Sequence, residues 1–250
     1  MKIRSQLKLD PKKIPAHVAI IMDGNRRWAA KHGLGPVDGH CQAAQEAIEP
    51  LIKAAIGLGI KYLTLWAWST ENWRRDKIEV NGIMKLFSNG LKDNLERFQK
   101  MGVRLNYLGD LSRFSKAISR RVLNLVKKSK ENKVITVTFA LNYGGRDEIL
   151  RAVKRLIKTG RKVSEIDENL FASCLDTAGM PDPDLVIRTG GANRLSGFLP
   201  WQAVYSEFYF TPVLMPDFTP GKLKKAIASF QKRERRFGGG SFSVYRKNKG

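Results

Sequence analysis

Cysteine and histidine are scarce in this 250-residue chain, at two and three copies. Cys41 and Cys174 stand far apart, with no Cys-x-x-Cys pair and no further ligand at metal spacing. That excludes a disulfide framework and a zinc centre, and reduced structural thiols are expected. With His17, His32 and His40 the only imidazoles and no Gly-x-Ser-x-Gly, a Ser-His-Asp hydrolase is also excluded. Gly-x-Gly-x-x-Gly and Gly-x-x-x-x-Gly-Lys-Ser/Thr are missing, and the nucleotide-binding signatures go with them. No stretch approaches the roughly 18 uninterrupted apolar residues of a membrane span. The start, Met1 to Asp10, is charged and lacks an apolar core, so a soluble, cytoplasmic protein is expected. Acidic residues are few as well: 23 against 45 Lys and Arg, a net charge of +22. The expected partners are anions, whether nucleic acid, acidic lipid head groups or phosphorylated small molecules, and charge alone does not choose among them.

The chain is organised around His17 to Trp28. Val18 to Met22 is a continuous apolar run rich in β-branched residues, the pattern of a strand buried on both faces, and it breaks at Asp23-Gly24-Asn25. Arg26, Arg27 and Trp28 open a helical segment, so a carboxylate, backbone N–H groups and guanidinium groups converge where a strand stops. The plainer reading of an isolated Asp-Gly-Asn is a strand followed by a turn, and the rest of the chain has to decide.

Lys31 to Gly39 holds Gly33, Gly35, Pro36 and Gly39 and reads as a mobile loop. Helical spacing follows from Cys41 to Leu58, a strand at Tyr62 to Trp68, and then the polar cluster Ser69 to Arg75. A long helix carries Ile83, Leu86 and Phe87. Val103 to Leu108 is a strand, Phe114 to Lys130 a basic amphipathic helix, and Val134 to Leu141 a strand ending in Asn142 to Arg146. A helix runs from there to Lys158, and a short one is expected near Glu168 to Leu175. Leu185 to Ile187 is a strand ending in Arg188-Thr189-Gly190-Gly191. Phe198 to Tyr205 reads as partly helical, Glu207 to Phe210 as a last strand, and Thr219 to Arg236 as a closing helix.

Strands alternating with long helices predict a single α/β domain over 1–250, with a mostly parallel six-stranded sheet flanked by helices and flexible ends at 1–14 and 239–250. Parallel strands share a carboxyl edge. The loops Asp23 to Arg27, Ser69 to Arg75, Asn142 to Arg146 and Arg188 to Ser196 are therefore expected to line one site. That site gathers Arg27, Arg75, Arg188 and Arg194 around few carboxylates, chiefly Asp23 and Glu207, and arginine forks suit diphosphate oxygens. Asp23 could hold Mg²⁺, which takes one or two carboxylates plus substrate phosphates.

His17 to Ala29, Ser69 to Trp73, Asn142 to Arg146, and Asp184 through Arg194-Leu195-Ser196 to Glu207 resemble, in order and spacing, the cis-prenyltransferases of the undecaprenyl diphosphate synthase family. The resemblance implies a homodimeric, Mg²⁺-dependent enzyme that joins isopentenyl diphosphate to an allylic prenyl diphosphate with a new Z double bond. It implies that Asp23 holds the metal and, with Gly24, Asn25, Arg27 and His40, the allylic diphosphate. Catalytic Asn72 would orient the reacting groups with Ser69, Trp73 and Arg75, and Glu79 matches an acidic residue of the segment after them. Arg188, Arg194 and Ser196 match the isopentenyl diphosphate site, Glu207 a second metal contact, and Arg236 and Gly238 a motif that reaches across the dimer.

Two positions depart from the family pattern. Pro36 stands where an Arg usually precedes the Gly39-His40 pair, so Lys31 or Arg26 compensates or the allylic substrate is held differently. Ala192 replaces a frequent acidic residue. These departures motivate an alternative, an unusual branched, cyclised or non-head-to-tail coupling; a non-catalytic partner subunit fits less well because Asp23, Asn25 and Asn72 are all present. Trp66 and Trp68 either narrow a product tunnel or are plain core. A nucleic-acid module would explain the charge, but no recognition signature accompanies it, so no nucleic-acid partner is expected; a peripheral contact with anionic lipid is the alternative use of the surplus lysines.

Overall fold

The computed structural model describes residues 8–93 and 95–233, with the side chains of these residues other than 91–96. The strands are β1 (His17–Ile21), β2 (Tyr62–Ser69), β3 (Val103–Leu108), β4 (Ile135–Tyr143), β5 (Leu185–Arg188) and β6 (Glu207–Phe210). They form one sheet in the order β3-β4-β2-β1-β5-β6, and every pairing is parallel. The helices are α1 (Asn25–Lys31), α2 (Pro36–Gln42), α3 (Ile48–Leu58), α4 (Lys77–Asp93), α5 (Leu95–Lys100), α6 (Lys116–Lys128), α7 (Gly145–Lys158), α8 (Glu168–Ser173) and α9 (Pro220–Gln231). The expected α/β class and parallel sheet are what the structure has.

Burial on both faces explains the apolar run of β1. Val18 and Ile20 pack with Leu63, Leu65, Val137 and Ile187 against α3 and α9, while Ala19 and Ile21 face Val186, Tyr143 and Phe198 on the other side. A strand with no solvent face cannot alternate.

Several local expectations change. Lys31 to Gly39 is mostly helical: α1 runs through Lys31 and α2 begins at Pro36, whose fixed φ and missing N–H suit the first helical position. Gly39 serves close packing rather than motion, since a Cβ there would lie 2.0 Å from the Asn25 carbonyl oxygen. The segment Phe198 to Tyr205 is a series of turns, not a helix. Among the residues expected to form a flexible start, 8–14 are tied down: Asp10 N–H donates to Gln231 Oε1 at 3.0 Å, and Gln231 Nε2 donates to the Asp10 and Lys13 carbonyls. The end of the closing helix and the expected flexible end at 239–250 lie outside the described residues, as do Arg236 and Gly238.

Between α2 and α3 the helix passes through a π turn, Ala43–Ala47, with Ile48 N–H donating to the Ala43 carbonyl. Pro50 supplies one cause, because it has no N–H for the Glu46 carbonyl and its ring crowds that position. The buried positions Gly39, Ala43, Ala47, Leu51 and Ala55 recur every four residues. On a regular α-helix each such step drifts by about 40°. The wider π turn absorbs that drift and keeps the stripe on the core.

Candidate active site

The carboxyl ends of β1, β2 and β5 open into two adjoining cavities. The first, about 550 Å³, is lined by Asp23, Gly24, Asn25, Arg26, Arg27, Pro36, His40 and Arg75. The second, about 380 Å³, carries Ser69, Asn72, Arg188, Arg194 and Ser196 at its polar end and Ile48, Ala67, Ile83, Leu86 and Phe87 elsewhere. A polar, cationic mouth on an apolar floor suits a ligand with a charged head and a hydrocarbon tail.

Asp23 sits at the centre. Its Oδ1 accepts from Arg27 Nη2 at 3.0 Å and its Oδ2 from Arg188 Nη2 at 3.0 Å. Thr189 fixes its backbone, accepting from Asp23 N–H at 2.9 Å and donating to the Asp23 carbonyl at 2.6 Å. Gly190, at φ +82°, leaves room for this meeting: a Cβ there would lie 2.5 Å from Arg27 Nη2. The Gly190 carbonyl accepts from Arg27 Nη1 at 2.6 Å. Arg188 is 5% exposed, and its other nitrogen, Nη1, bonds Ser196 Oγ at 2.8 Å and the Arg194 carbonyl.

A second charged group surrounds Glu79, which is 5% exposed. Arg75 Nη1 donates to Glu79 Oε1 at 2.8 Å, and Arg26 Nε lies 3.6 Å from Oε2. His40 lies between this group and Asn25. Burial and the neighbouring Arg75 and Arg26 charges push its pKa down to about 4, so the ring is neutral at pH 7. Arg75 only donates, which makes His40 Nε2, 3.3 Å from Arg75 Nη1, the lone-pair nitrogen and leaves the proton on Nδ1. Nδ1 faces the Asn25 carboxamide, whose buried Oδ1 otherwise has no partner. Asn25 Nδ2, 3.3 Å from His40 Nδ1, also donates to the Met22 carbonyl at 3.4 Å.

Ser69, Asn72 and Trp73 belong to the end of β2 and the 3₁₀ turn Thr70–Arg74. Asn72 Oδ1 accepts from Ser69 N–H at 3.0 Å, which leaves its amide N–H groups without a partner among the described residues. Trp73 lines neither cavity. Its Nε1 donates to Asn142 Oδ1 at 2.7 Å and its ring packs edge-on to Trp68 and Phe114. Trp68 is plain core at 1% exposure, whereas Trp66 borders the second cavity and stacks on Phe198 at 4.9 Å.

The loop Asn142 to Arg146 buttresses the site instead of lining it, which corrects its expected place. Gly145 N–H donates to the Gly197 carbonyl at 2.8 Å, and a Cβ on Gly145 would lie 2.0 Å from Pro200 Cδ. Behind it, fully buried Glu148 accepts from Tyr143 Oη at 2.6 Å and from Gln202 Nε2. These contacts hold the strained turn in which Ser196, Gly197 and Leu199 all have positive φ.

Glu207 is a second correction. It opens β6 opposite Leu185, at the amino end of the sheet, and bonds Arg233 at 2.6 Å. Phe210, three residues on, pairs with Arg188 at the carboxyl end, which puts Glu207 about 10 Å from that edge. Within one chain it does not reach Asp23.

Residue-level reading missed Thr189 and the apolar wall Ala44, Ile48, Ile83 and Leu86. For Thr189 the signal was its place directly after a buried strand. The wall residues carried only an ordinary core pattern.

Among the described residues no three His, Cys, Asp or Glu side chains group to hold a metal ion. A lone Asp23 carboxylate, 30% exposed in a cationic crevice, fits Mg²⁺, whose remaining ligands come from phosphates and water. No helix among the described residues is long and apolar enough to cross a membrane.

Known proteins share this sequence and this fold. The family described as putative undecaprenyl diphosphate synthase matches residues 21–238. An isoprenyl transferase of Clostridium perfringens is 47% identical over 231 residues, covering 91% of each chain. The crystal structure of lavandulyl diphosphate synthase from Lavandula x intermedia, in complex with dimethylallyl diphosphate, superposes with a TM-score of 0.87. It shares 36% identity over 91% of this chain and 99% of its own. A probable undecaprenyl diphosphate synthase from Campylobacter jejuni gives 0.76 and 36%, over 90% and 98%. Sequence similarity across nearly the whole length, the shared fold and a crevice shaped for a charged head with a hydrocarbon tail agree: the chain belongs to the undecaprenyl diphosphate synthase family and is a prenyltransferase.

Proposed function

We propose that the protein condenses isopentenyl diphosphate with an allylic prenyl diphosphate, forming a Z double bond in a Mg²⁺-dependent reaction. The observation that carries this reading is the meeting of Arg27 and Arg188 on Asp23, with Arg75 lining the same cavities, at the mouth of an apolar cavity.

Asp23 would hold the Mg²⁺, which neutralises charge on the departing diphosphate. Arg27, Arg75 and the backbone N–H groups after Gly24 bind the allylic diphosphate, with neutral His40 and Asn25 fixing the wall beside it. Arg188, Arg194 and Ser196 take the isopentenyl diphosphate. With Asp23 holding the metal, Arg27 and Arg188 would be free to meet phosphate oxygens. Negative charge grows on the leaving diphosphate as the carbon–oxygen bond breaks, so these preplaced cations stabilise the transition state more than the bound substrate. Asn72, its oxygen committed to Ser69, keeps its N–H groups for the substrate between the two sites. The apolar wall receives the growing tail and excludes water.

A homodimer is part of this reading. Leu150 and Ile157 on α7, with Val204 and Tyr205 before β6, are exposed at 61%, 73%, 68% and 68%, large apolar side chains that a second copy would cover. A cytoplasmic location with peripheral lipid contact completes the proposal. An unusual coupling remains the second reading, supported by Pro36 in the wall of the first cavity and by the likeness to a lavandulyl diphosphate synthase.

The test incubates the protein with Mg²⁺, labelled isopentenyl diphosphate and a series of allylic diphosphates from dimethylallyl upward, with Asp23→Ala as control. Label entering an Asp23-dependent Z product supports the main reading. A product with branched or cyclised connectivity by NMR moves the second reading forward. No product with any allylic partner overturns both.

A further inference from the structure

Helix α6 has two opposite faces of different chemistry. Ile118, Val122, Leu125 and Ser129 are buried against the sheet and α4. Ser129 Oγ accepts from Leu105 N–H at 2.9 Å, and Arg121 Nη1 donates to the Ser88 carbonyl and hydroxyl, fixing α6 to β3 and α4. Pointing away from this core, Lys116, Arg120, Leu123, Lys127 and, just past the helix end, Lys130 recur at steps of four and three. That spacing places them on one line along the helix. All five are exposed, Leu123 at 49%.

No Asp or Glu lies between Asp110 and Glu131. Among the described residues none of these four cations enters an ion pair, although the same structure pairs Arg26, Arg75, Arg151 and Arg155 with carboxylates. A line of like charges about 20 Å long, left uncompensated with a leucine at its centre, repels itself unless an anionic surface faces it.

We infer that this face of α6 is a docking surface for anionic lipid head groups, with Leu123 entering the boundary between head groups and acyl chains. Four cations in a row match a planar array of phosphates, and a basic cluster of this size on an amphipathic helix is a pattern of binding to anionic lipid. The stripe carries no aromatic ring on which a base could stack, so a nucleic acid fits it less well. The position agrees with the chemistry. α6 packs on α4, whose Ile83, Leu86 and Phe87 line the apolar cavity, so docking here brings a membrane beside the wall that holds the prenyl tail. This choice of lipid rests on the prenyltransferase reading, whereas the test below measures binding without catalysis.

Co-sedimentation of the full chain with vesicles of phosphatidylcholine, alone or with phosphatidylglycerol, reads the effect directly. The comparison variant carries Lys116→Gln, Arg120→Gln, Lys127→Gln and Lys130→Gln, all at exposed positions. The control removes the same charge elsewhere, with Lys61→Gln, Lys158→Gln, Lys224→Gln and Lys225→Gln. The expected result is binding to anionic but not neutral vesicles, weakened by added salt and reduced roughly a hundredfold in the stripe variant but only a few-fold in the control. Leu123→Gln alone should lower partitioning several-fold. Unchanged binding of the stripe variant, or an equal loss in the control, overturns the inference, because the net charge then acts diffusely. Stripe-dependent binding to a nucleic-acid duplex without vesicle binding overturns it in favour of the other polyanion. Prenyl transfer to a short, water-soluble allylic diphosphate, assayed without vesicles, should match wild type in the stripe variant. Absence of any product from wild type would instead count against the catalytic reading and leave the vesicle result intact.

Discussion

Arg188 Nη2 and Asp23 Oδ2 meet at 3.0 Å at the carboxyl ends of neighbouring strands, with Arg188 almost wholly buried. On the proposed reading, the carboxylate occupies a place that a diphosphate oxygen would take. Removing it leaves a buried guanidinium short of an acceptor, at a cost of about 1–3 kcal/mol. Asp23→Ala should therefore unfold at lower urea concentration than wild type. Inorganic diphosphate without Mg²⁺ should raise its melting temperature more than that of wild type, because the anion fills the vacated position. Equal shifts in the two proteins would sink this account, while prenyl transfer is expected to fall by at least a thousandfold in the variant.

Gly145→Ala tests the buttress. Its methyl would meet the Pro200 ring and the Gly197 carbonyl, so the turn carrying Arg194 and Ser196 must shift. Overpacking of this kind costs about 1–3 kcal/mol. KM for isopentenyl diphosphate is expected to rise tenfold or more, with a smaller change for the allylic substrate; steady-state kinetics with each substrate varied in turn decides it.

His40 makes the fold acid-sensitive. Its folded pKa of about 4 lies below the ordinary 6.5, so the unfolded chain binds the extra proton between these values. Its contribution is complete above pH 6.5 and is lost as pH falls towards 4, about 3 kcal/mol in all. Buried His17, also held below its ordinary value, by desolvation, acts in the same direction. Glu148 acts oppositely: desolvation raises its pKa, so its contribution is lost as pH rises. Urea midpoints of wild type and His40→Asn between pH 7 and 4 should converge as pH falls. Parallel curves would show that His40 is not the group responsible.

The apolar wall should set product length. Ala44→Leu fills the second cavity and is expected to shorten the product, while Leu86→Ala enlarges it and should lengthen it. Chromatography of dephosphorylated products from both variants checks the pair; shifts in the same direction would contradict the assignment.

The elements were most legible where a single force dominated. The buried strand β1 followed from an unbroken apolar run, and the common edge of Asp23, Ser69 and Arg188 followed from parallel pairing. Glycine was misread between Lys31 and Gly39 because composition does not distinguish a glycine that bends freely from one that admits a neighbouring carbonyl. The place of Glu207 was lost for a different reason. A strand has two ends, and adjacency to a charged cluster in the family pattern does not say which end a residue occupies within one chain. Ser196 and Leu199 have positive φ in a turn held by the Gly145 N–H on the Gly197 carbonyl and by the Trp66 ring on Phe198, contacts from residues distant in sequence.

The π turn at Ala43–Ala47 has a consequence for length variation. A π turn is an α-helix with one residue too many, so the segments before and after it already sit in separate registers. Deleting one residue from this stretch would let the helix close with ordinary hydrogen bonds, except at the carbonyl four residues before Pro50, while His40 still faced the crevice and Leu51 the core. Elsewhere in a packed helix the same deletion would rotate everything beyond it by about 100°. This short segment is where the helix can lose a residue and keep both its faces.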